Sequence, residues 1–445
     1  MILFLGAALM ALLAGRAQSG GDQLNLLSRG WLWAERGVLV PYGNPLSNGG
    51  MEPGPLTSLL VGLPLALWRH HRAPGLVVVL FHLLAYLILD RTIAKILSPR
   101  ERLLFALVYW LNPWRLYYSG FLWNPNYLAL PAALHLWTSW LGRRGGRFWP
   151  SLGHVLAIGA AGQLHPSALI LLLATVVLLW RRALVLEWRG VACGVALVLF
   201  SLIPWLRAVA AAPEPLLPGG DGFLLRGLLY VFPLIRGWLY WLRYGALNLP
   251  GAILRLDFVD VLGVTWNARL AKPLERTLEV LLPMTLAPPV WANLRLLRRA
   301  RRYAWRPPAS RRPRVWLCTY VLSLLLAATV SFALSPTTIM PWQAFIAFHA
   351  AVLPLVFAFG ALWRLPRFAR GVRRGAVAWG AVAVLLTPVL AFGSRHYRCH
   401  GPESMGIGVV LRHDHPMFHD LGWSGSCPPR FDAELGWWPD VLPER

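Results

Sequence analysis

Long apolar runs separated by short polar breaks occupy most of this sequence. Runs of about 14–23 residues suit helices that cross a bilayer, although the shortest fall below the ideal length of about 20. The pattern predicts about eleven transmembrane helices, near 1–15, 74–90, 103–118, 127–142, 150–163, 166–181, 190–206, 275–297, 315–334, 342–363 and 375–393. The predicted fold class is therefore an all-α polytopic membrane protein.

Composition supports this class and narrows the possible partners. Of 445 residues 57% are hydrophobic and 14% charged, with a mean hydropathy of +0.51, which is too apolar for a soluble domain. The net charge of +24 would suit a nucleic-acid partner, but the arginines fall in short clusters between apolar runs. Such placement is typical of positive residues that set the orientation of membrane helices. It does not form the continuous basic surface of a nucleic-acid-binding protein, so we expect no nucleic-acid partner.

The arginine clusters alternate with uncharged breaks and so predict orientation. Twenty-four Lys and Arg residues lie in one set of connecting segments, 91–102, 143–147, 181–189, 295–314 and 364–374. The opposing short segments 119–126, 163–167 and 335–341 contain none. Because positive residues are retained on the cytoplasmic side, we expect a cytoplasmic amino terminus and a periplasmic carboxyl tail in a bacterial inner membrane.

This orientation requires two long periplasmic loops, 16–73 and 207–274, within a membrane domain spanning 1–393, followed by a tail at 394–445. Segment 55–68 is short for a span, about 21 Å as a helix. Arginines interrupt the aromatic-rich part of 207–274. Both segments are predicted to include juxtamembrane helices that lie in the interface. In the alternative, either segment crosses the membrane and the helix count changes.

The polar residues on the predicted periplasmic side are the candidates for chemistry. Asp22 directly follows the first apolar run, where an ionisable group is expensive unless it has a function. The structural alternative is that Asp22 caps a helix beginning at Gln23. Glu52 and His165 are further candidates, and His349 is either a site residue or a satisfied histidine inside the bundle.

Four motifs resemble the GT-C superfamily of membrane glycosyltransferases, especially the branch containing protein O-mannosyltransferases and the lipid A aminoarabinose transferase. GDQLNLLSRGWLWAERG resembles the family's acidic residue and amphipathic helix after the first span. MEPGPLTSLLVGLPLALW resembles its proline-bearing segment with a preceding acid. LNPWRLYYSGFLWNPNYLALPAAL resembles the segment around the second external loop, and QLHPSAL the His-Pro turn. The resemblance covers roughly residues 1–210, with weaker support near 335–355.

The resemblance implies an inverting transfer from a polyprenyl-phosphate-linked sugar, with no prosthetic group and Asp22 as the catalytic base. Cationic groups should bind the leaving phosphate. The candidates are the arginines among the substrate-binding residues named next, together with Arg243. The predicted substrate-binding residues are Arg29, Glu52, Arg115, Asn124, Asn126, His165, Arg236 and His349. Many family members have an acidic residue where this chain has Asn124 and Asn126, which makes a divalent metal doubtful.

The expected acceptor is a glycolipid of the cell envelope, such as lipid A or lipopolysaccharide. Because no large soluble domain is expected after the last span, the oligosaccharyltransferase branch is disfavoured. The alternative function is a secondary transporter or a lipid flippase. Transporters bind substrate near the bilayer midplane, whereas the midplane portions of these helices are expected to be apolar.

The tail from 394 contains Cys399, Cys427 and five histidines. Two cysteines in one periplasmic segment favour a disulfide. A zinc site is the alternative, although the spacing fits no standard ligand pattern. Cys193 and Cys318 lie within predicted helices and are expected to be inert.

The alternation of arginine clusters can be tested with topology reporters. A reporter fused at Pro307 should report the cytoplasm, and one fused after Pro428 the periplasm, because the two positions flank an odd number of predicted spans. Activity of a periplasmic reporter at both positions would contradict the predicted orientation.

Overall fold

The computed structural model describes residues 1–19, 21–46, 49–211, 231–303, 312–335, 338–394, 396–397 and 421. The structure is 79% helical, so the predicted all-α class is confirmed. The tail cysteines Cys399 and Cys427 lie outside these residues, and their predicted disulfide stays a prediction. Cys193 and Cys318 are free.

Helices follow one another with short connections through the first half of the chain. They are α1 Ile2–Arg16, α2 Gly21–Arg36, α3 Leu56–Leu67, α4 Ala73–Ile93, α5 Pro99–Phe105, α6 Pro113–Ser119, α7 Ala129–Gly142, α8 Phe148–Leu164, α9 Leu169–Trp180, α10 Trp188–Ser201 and α11 Ile203–Ala211. A π-helical turn covers Ala106–Trp110, and 3₁₀ turns cover Asn124–Leu128 and Pro166–Ala168.

The second half is helical as well. Its helices are α12 Val231–Tyr244, α13 Gly251–Leu254, α14 Val259–Met284, α15 Ala287–Tyr303, α16 Pro313–Ala333, α17 Pro341–Ala344, α18 Phe348–Ala351, α19 Leu353–Trp363 and α20 Pro366–Gly393, with a 3₁₀ turn at Phe345–Ala347. Helix α14 begins well before the predicted start of the span at 275, so part of the predicted loop 207–274 is helical. Within α14 the chain kinks at Gly263, whose φ of 71° suits glycine.

Several of these helices have the length and apolarity of membrane spans. Among the described residues five qualify, namely Ala73–Ile93, Val259–Ala300, Pro313–Ala333, Pro341–Trp363 and Pro366–Gly393. A sixth arises if α10 and α11, which meet at 45°, form one broken span. The bend lies beside Pro204, which lacks an N–H for the helical ladder. The chain is therefore a multi-pass membrane protein, and the count of eleven stays a prediction because it includes helices shorter than these.

The predicted span 103–118 is broken, because Pro113 disfavours helical geometry at the residue before it. Asn112 organises the break. Its Oδ1 accepts a hydrogen bond from the Trp114 N–H at 3.0 Å, which caps α6. Its Nδ2 donates to the carbonyl oxygens of Val108 and Tyr244, each at 2.9 Å. One buried amide therefore satisfies the ends of two helical segments and ties them to α12.

The connection between α1 and α4 forms a compact unit. Strands β1 Tyr42–Pro45 and β2 Met51–Pro53 pair antiparallel, and α2 packs along α3. Gly30 permits this close packing, since a Cβ there would lie 2.5 Å from Cγ1 of Val61. Small residues at such crossings let helix backbones approach. The unit places the start of α2 and the tip of β2 beside the second connecting loop, 119–126.

Candidate active site

Six polar and aromatic side chains from two separate connecting segments meet at one place. We call this group the carboxylate cluster, and it consists of Asp22, Arg29, Asn44, Glu52, Trp123 and Asn124. The first four come from the α2–hairpin unit, and the last two from the loop 119–126. Sequence analysis predicted four members of this cluster as site residues, and the structure brings these four together.

Glu52 lies at the centre of the cluster and is only 4% exposed. Its Oε2 accepts hydrogen bonds from the Asn44 N–H at 3.2 Å and from Nδ2 of Asn124. Burial raises the pKa of this carboxyl well above its ordinary value, and the charge of Asp22 acts in the same direction. The Asn44 hydrogen bond and the charge of Arg29 oppose the rise in pKa. The environment therefore favours the protonated form of Glu52, and in that form the group cannot accept a proton.

Asp22 occupies the more open side of the cluster and is half-buried. Its Oδ2 accepts a hydrogen bond from the indole N–H of Trp123 at 2.8 Å. Helix α2 begins at Gly21, so Asp22 lies within the first turn rather than capping a helix that starts at Gln23. Negative charge is favourable there because the helix dipole presents its positive end. Asp22 is thus a carboxylate held at a defined position with access to solvent.

Arg29 links the helix to the hairpin beneath the two carboxylates. Its Nη1 donates to Oδ1 of Asn44 at 3.1 Å, and its guanidinium lies 5.4 Å from the ring centre of Tyr42. The side chain is 2% exposed. Arg29 therefore acts on the cluster mainly through its charge and through the position of Asn44.

Two glycines allow the hairpin to approach its neighbours. A Cβ at Gly43 would lie 2.5 Å from Oε2 of Glu52, so any side chain would displace the central carboxylate. Gly54 has a φ of +88°, and a Cβ there would lie 2.3 Å from Oε1 of Gln163. This contact brings the end of α8 close to the cluster.

His165 follows α8 directly, at the turn that Gln163 precedes. Its Nδ1 accepts a hydrogen bond from the Ser167 N–H at 3.1 Å and so caps the following 3₁₀ turn. Burial lowers the pKa of His165 to about 4, so the ring is neutral near pH 7 and offers no positive charge to a phosphate. Its local contacts are those of a helix cap.

Arg115, Asn126, Arg236 and His349, which were also predicted as site residues, lie away from the carboxylate cluster. Arg115 is fully buried and donates from Nε to the Trp110 carbonyl oxygen at 2.9 Å and from Nη1 to Sδ of Met10 at 3.0 Å. It thereby satisfies a carbonyl left unpaired at the broken helix. Asn126 donates to the Phe121 carbonyl oxygen at 2.8 Å and braces its own loop.

Arg236 lies on α12, where its Nη2 donates to Sδ of Met340 at 3.2 Å. Met340 precedes Trp342, whose ring centre is 4.7 Å from that of Trp123. Arg236 is therefore connected to the rim of the cluster by one layer of side chains. Sequence reasoning missed Trp123 and Trp342, because an isolated aromatic residue carries no signal without its partners.

A second polar group lies inside the helix bundle and includes His349. Hydrogen bonds of 2.9–3.0 Å join, in order, Thr138, His154, Thr175, His135, Tyr320 and His349. We call this group the histidine chain. Its members come from α7, α8, α9, α16 and α18, and all are less than 9% exposed. Each of these histidines lies within a long apolar run of the sequence, so the interior of the bundle contains polar side chains, and the expectation of apolar midplane portions stays a prediction.

The described residues do not offer a site suited to a divalent metal ion. No group of three His, Cys, Asp or Glu side chains that could hold a metal occurs among them. Oε2 of Glu52 faces two amide donors and Arg29 lies nearby, so the oxygens are arranged for N–H groups rather than for a cation. We therefore derive no step that uses a metal.

Comparison with solved structures identifies the fold. The apo structure of ArnT from Cupriavidus metallidurans has a TM-score of 0.53 and 15% identity, and the match covers 84% of this chain and 61% of ArnT. ArnT bound to undecaprenyl phosphate gives 0.51 and 14% identity over 94% of this chain and 68% of that one. The oligosaccharyltransferase of Archaeoglobus fulgidus gives 0.46 and 13% identity, covering 96% and 60%.

No protein-family model and no curated protein matches the sequence. ArnT, a lipid A aminoarabinose transferase, belongs to the GT-C superfamily, and this chain spans about three fifths of the length of the apo ArnT structure. At such low identity the likeness shows the fold alone. The chain has the fold of ArnT, and the resemblance read from the sequence motifs is confirmed at the level of the fold.

The buried carboxyl of Glu52 should make stability depend on pH. Its folded-state pKa is raised above the ordinary value of 4.5, so its contribution to stability is fully present below that value. The contribution is lost as the pH rises through the raised pKa. Glu52→Gln keeps an acceptor for Asn44 and Asn124 and should flatten the decline of the melting temperature as the pH rises above 4.5. An unchanged pH profile in the variant would show that Glu52 does not titrate in this range.

Proposed function

We propose that this chain is a glycosyltransferase that moves a sugar from a polyprenyl-phosphate donor to a glycolipid of the cell envelope, such as lipid A or lipopolysaccharide. The observation that carries the proposal is the carboxylate cluster. In it Asp22 is half-buried beside Trp123, and Glu52 is buried. A buried carboxyl group with a raised pKa beside a more open carboxylate is an arrangement found in acid–base sites. The similarity to ArnT, which has been solved with undecaprenyl phosphate bound, supports a polyprenyl-phosphate donor.

In the proposed reaction Asp22 acts as the general base. Its carboxylate accepts the proton of the acceptor hydroxyl while that oxygen attacks the anomeric carbon. The bond between this carbon and the phosphate oxygen breaks, and polyprenyl phosphate leaves with the electron pair. Because attack occurs opposite the leaving group, the anomeric configuration is inverted. The indole N–H of Trp123 holds the carboxylate in position.

The leaving phosphate needs positive charge or hydrogen-bond donors nearby. Arg236 is the best placed of the predicted arginines, since it contacts Met340 at the rim and is not enclosed as Arg29 and Arg115 are. Trp123 and Trp342 offer aromatic faces beside Asp22. We assign the sugar to the space between these rings and the Asp22 carboxylate.

The proposal includes the orientation predicted from the arginine clusters. The amino terminus is cytoplasmic, the tail is periplasmic, and the chain crosses the inner membrane about eleven times, with α2 and α3 lying at the periplasmic interface. The carboxylate cluster then faces the periplasm, where donor and acceptor headgroups lie. The proposal includes no prosthetic group and no nucleic-acid partner, and none of its steps uses a metal ion.

One observation favours a second function, a proton-coupled secondary transporter or flippase. The histidine chain places three imidazoles and a tyrosine in an unbroken series inside the bundle. Ionisable groups in the interior of a transmembrane bundle are typical of proton paths in pumps and transporters. If the protein is a glycosyltransferase, the histidine chain only cross-links five helices.

Asp22→Asn tests the proposed base. Asparagine still accepts the hydrogen bond from Trp123 but has no basic oxygen, so transfer should fall about 10²–10⁴-fold at unchanged expression. Mass spectrometry of envelope glycolipids from a deletion strain identifies the product, and complementation with each variant then measures transfer. Glu35→Gln is the matched control, since Glu35 lies on the same helix in an exposed ion pair with Arg69.

The result of Glu52→Gln decides between the two carboxyl groups. Near-normal transfer by Asp22→Asn together with loss of transfer in Glu52→Gln would reassign the base to Glu52. Full transfer by both well-folded variants would overturn the glycosyltransferase proposal.

Tyr320→Phe separates the two candidate functions. The change removes the hydroxyl that joins His135 to His349, which breaks the histidine chain. A glycosyltransferase should retain transfer within a few-fold, measured by glycolipid mass spectrometry at matched protein levels. Abolished transfer in a monodisperse, normally melting Tyr320→Phe protein would favour the transporter instead.

A further inference from the structure

A large cavity lies between helices on the arginine-rich side of the bundle, away from the carboxylate cluster. Its volume is about 560 Å³, and its walls come from α9, α15, α16 and α19. Four arginines, Arg181, Arg295, Arg299 and Arg314, contribute to the lining. No acidic side chain is among the described residues that line it. The cavity therefore combines concentrated positive charge with an interior formed by transmembrane helices.

Three of the four arginines lie at or near helix ends, and Arg295 lies one turn before Arg299 on α15. Arg181 follows the last residue of α9, Arg299 is in the last turns of α15, and Arg314 is in the first turn of α16. These three helix ends belong to the face where the arginine clusters of the sequence gather. Glu101 partly neutralises Arg314 through an ion pair of 2.5 Å. The net charge at this end of the cavity remains strongly positive.

The rest of the cavity is apolar. Leu322 and Leu326 line it one and more turns further along α16 from Arg314, and Phe357 lies beside Arg314, 5.9 Å from its guanidinium to the ring centre. The two hydroxyls there are already satisfied, since Thr319 donates to the Val315 carbonyl oxygen at 3.0 Å and Ser323 to the Thr319 carbonyl oxygen at 2.9 Å. The wall thus offers no unsatisfied hydroxyl to a sugar or nucleotide, and it suits hydrocarbon.

The dimensions match one lipid leaflet. Residues 314 and 326 of α16 are twelve positions apart, which corresponds to about 18 Å along a helix. Half of the hydrocarbon core of a bilayer is about 15 Å. An acyl chain that enters the cavity beside α16 would therefore place its headgroup phosphate among the arginines.

We propose that this cavity binds an anionic glycerophospholipid, with its phosphate held by Arg181, Arg295, Arg299 and Arg314 and an acyl chain along α16. Basic pockets between transmembrane helices on the cytoplasmic side are suited to such headgroups, and guanidinium groups bind phosphate through paired hydrogen bonds. The occupant is a lipid of the leaflet at the arginine-rich face. The proposal does not depend on the transferase activity, whose substrates are assigned to the opposite face.

Native mass spectrometry of the purified protein tests the proposal. Titration with phosphatidylglycerol should give a saturable one-lipid adduct, whereas phosphatidylcholine with the same acyl chains should bind at least about tenfold more weakly. The double variant Arg295→Gln/Arg299→Gln should weaken phosphatidylglycerol binding about 10–100-fold, since each lost charge-assisted contact contributes roughly a factor of ten. The control Arg370→Gln/Arg374→Gln removes two exposed arginines of α20 outside the cavity and should bind as the unmodified protein does.

Leu322→Trp tests the apolar part with all four arginines retained. Filling the cavity should weaken phosphatidylglycerol binding, and unchanged binding would overturn the proposed acyl-chain site. Equal loss in the control double variant would show diffuse attraction to a basic surface and would also overturn it. Deacylated glycerophosphoglycerol separates a lipid site from a phosphate site, and binding as tight as that of the intact lipid would contradict the proposal.

Discussion

The buried carboxyl group of Glu52 is the interaction on which the candidate site depends. A carboxyl group that is 4% exposed must find hydrogen-bond donors within the protein, because burial without them is costly. Glu52 takes one donor from the hairpin, Asn44, and one from the loop 119–126, Asn124. These two contacts fix the loop against the hairpin. Trp123 is thereby brought to Asp22, and the more open carboxylate acquires a defined position.

The same requirement shapes the interior of the bundle. Where Pro113 interrupts the helical ladder, Asn112 and Arg115 satisfy the backbone groups that the interruption leaves. Elsewhere His135 and His154 share the hydroxyl of Thr175, so that neither of these two imidazoles is buried without a partner. In an apolar environment such polar contacts hold helices in a specific arrangement, because any shift would leave a buried group unsatisfied. The helices that carry the candidate site are positioned by these contacts.

Charge divides the molecule into two functional ends. The carboxylate cluster lies beside the short segment 119–126, which holds no Lys or Arg, and the cavity beside α16 lies where arginines gather. In the proposed orientation chemistry occurs at the periplasmic end, while the cytoplasmic end binds an anionic lipid. A lipid held between α9, α15 and α16 would brace those helices from the opposite leaflet. The two ends are joined through α9 and α16, which also carry Thr175 and Tyr320 of the histidine chain.

The sequence by itself determined the helices, their order and the acidic residue after α1. Apolar length and arginine alternation are local properties, so they could be read without contacts. The GT-C resemblance likewise rested on short motifs in order. Only the tertiary structure joined Asp22 to Trp123, 101 residues apart, and His135 to Tyr320, 185 residues apart. It also placed Arg115 inside the bundle. Such pairings depend on how helices pack, and a buried polar residue within an apolar run carries no sign of the partner that satisfies it.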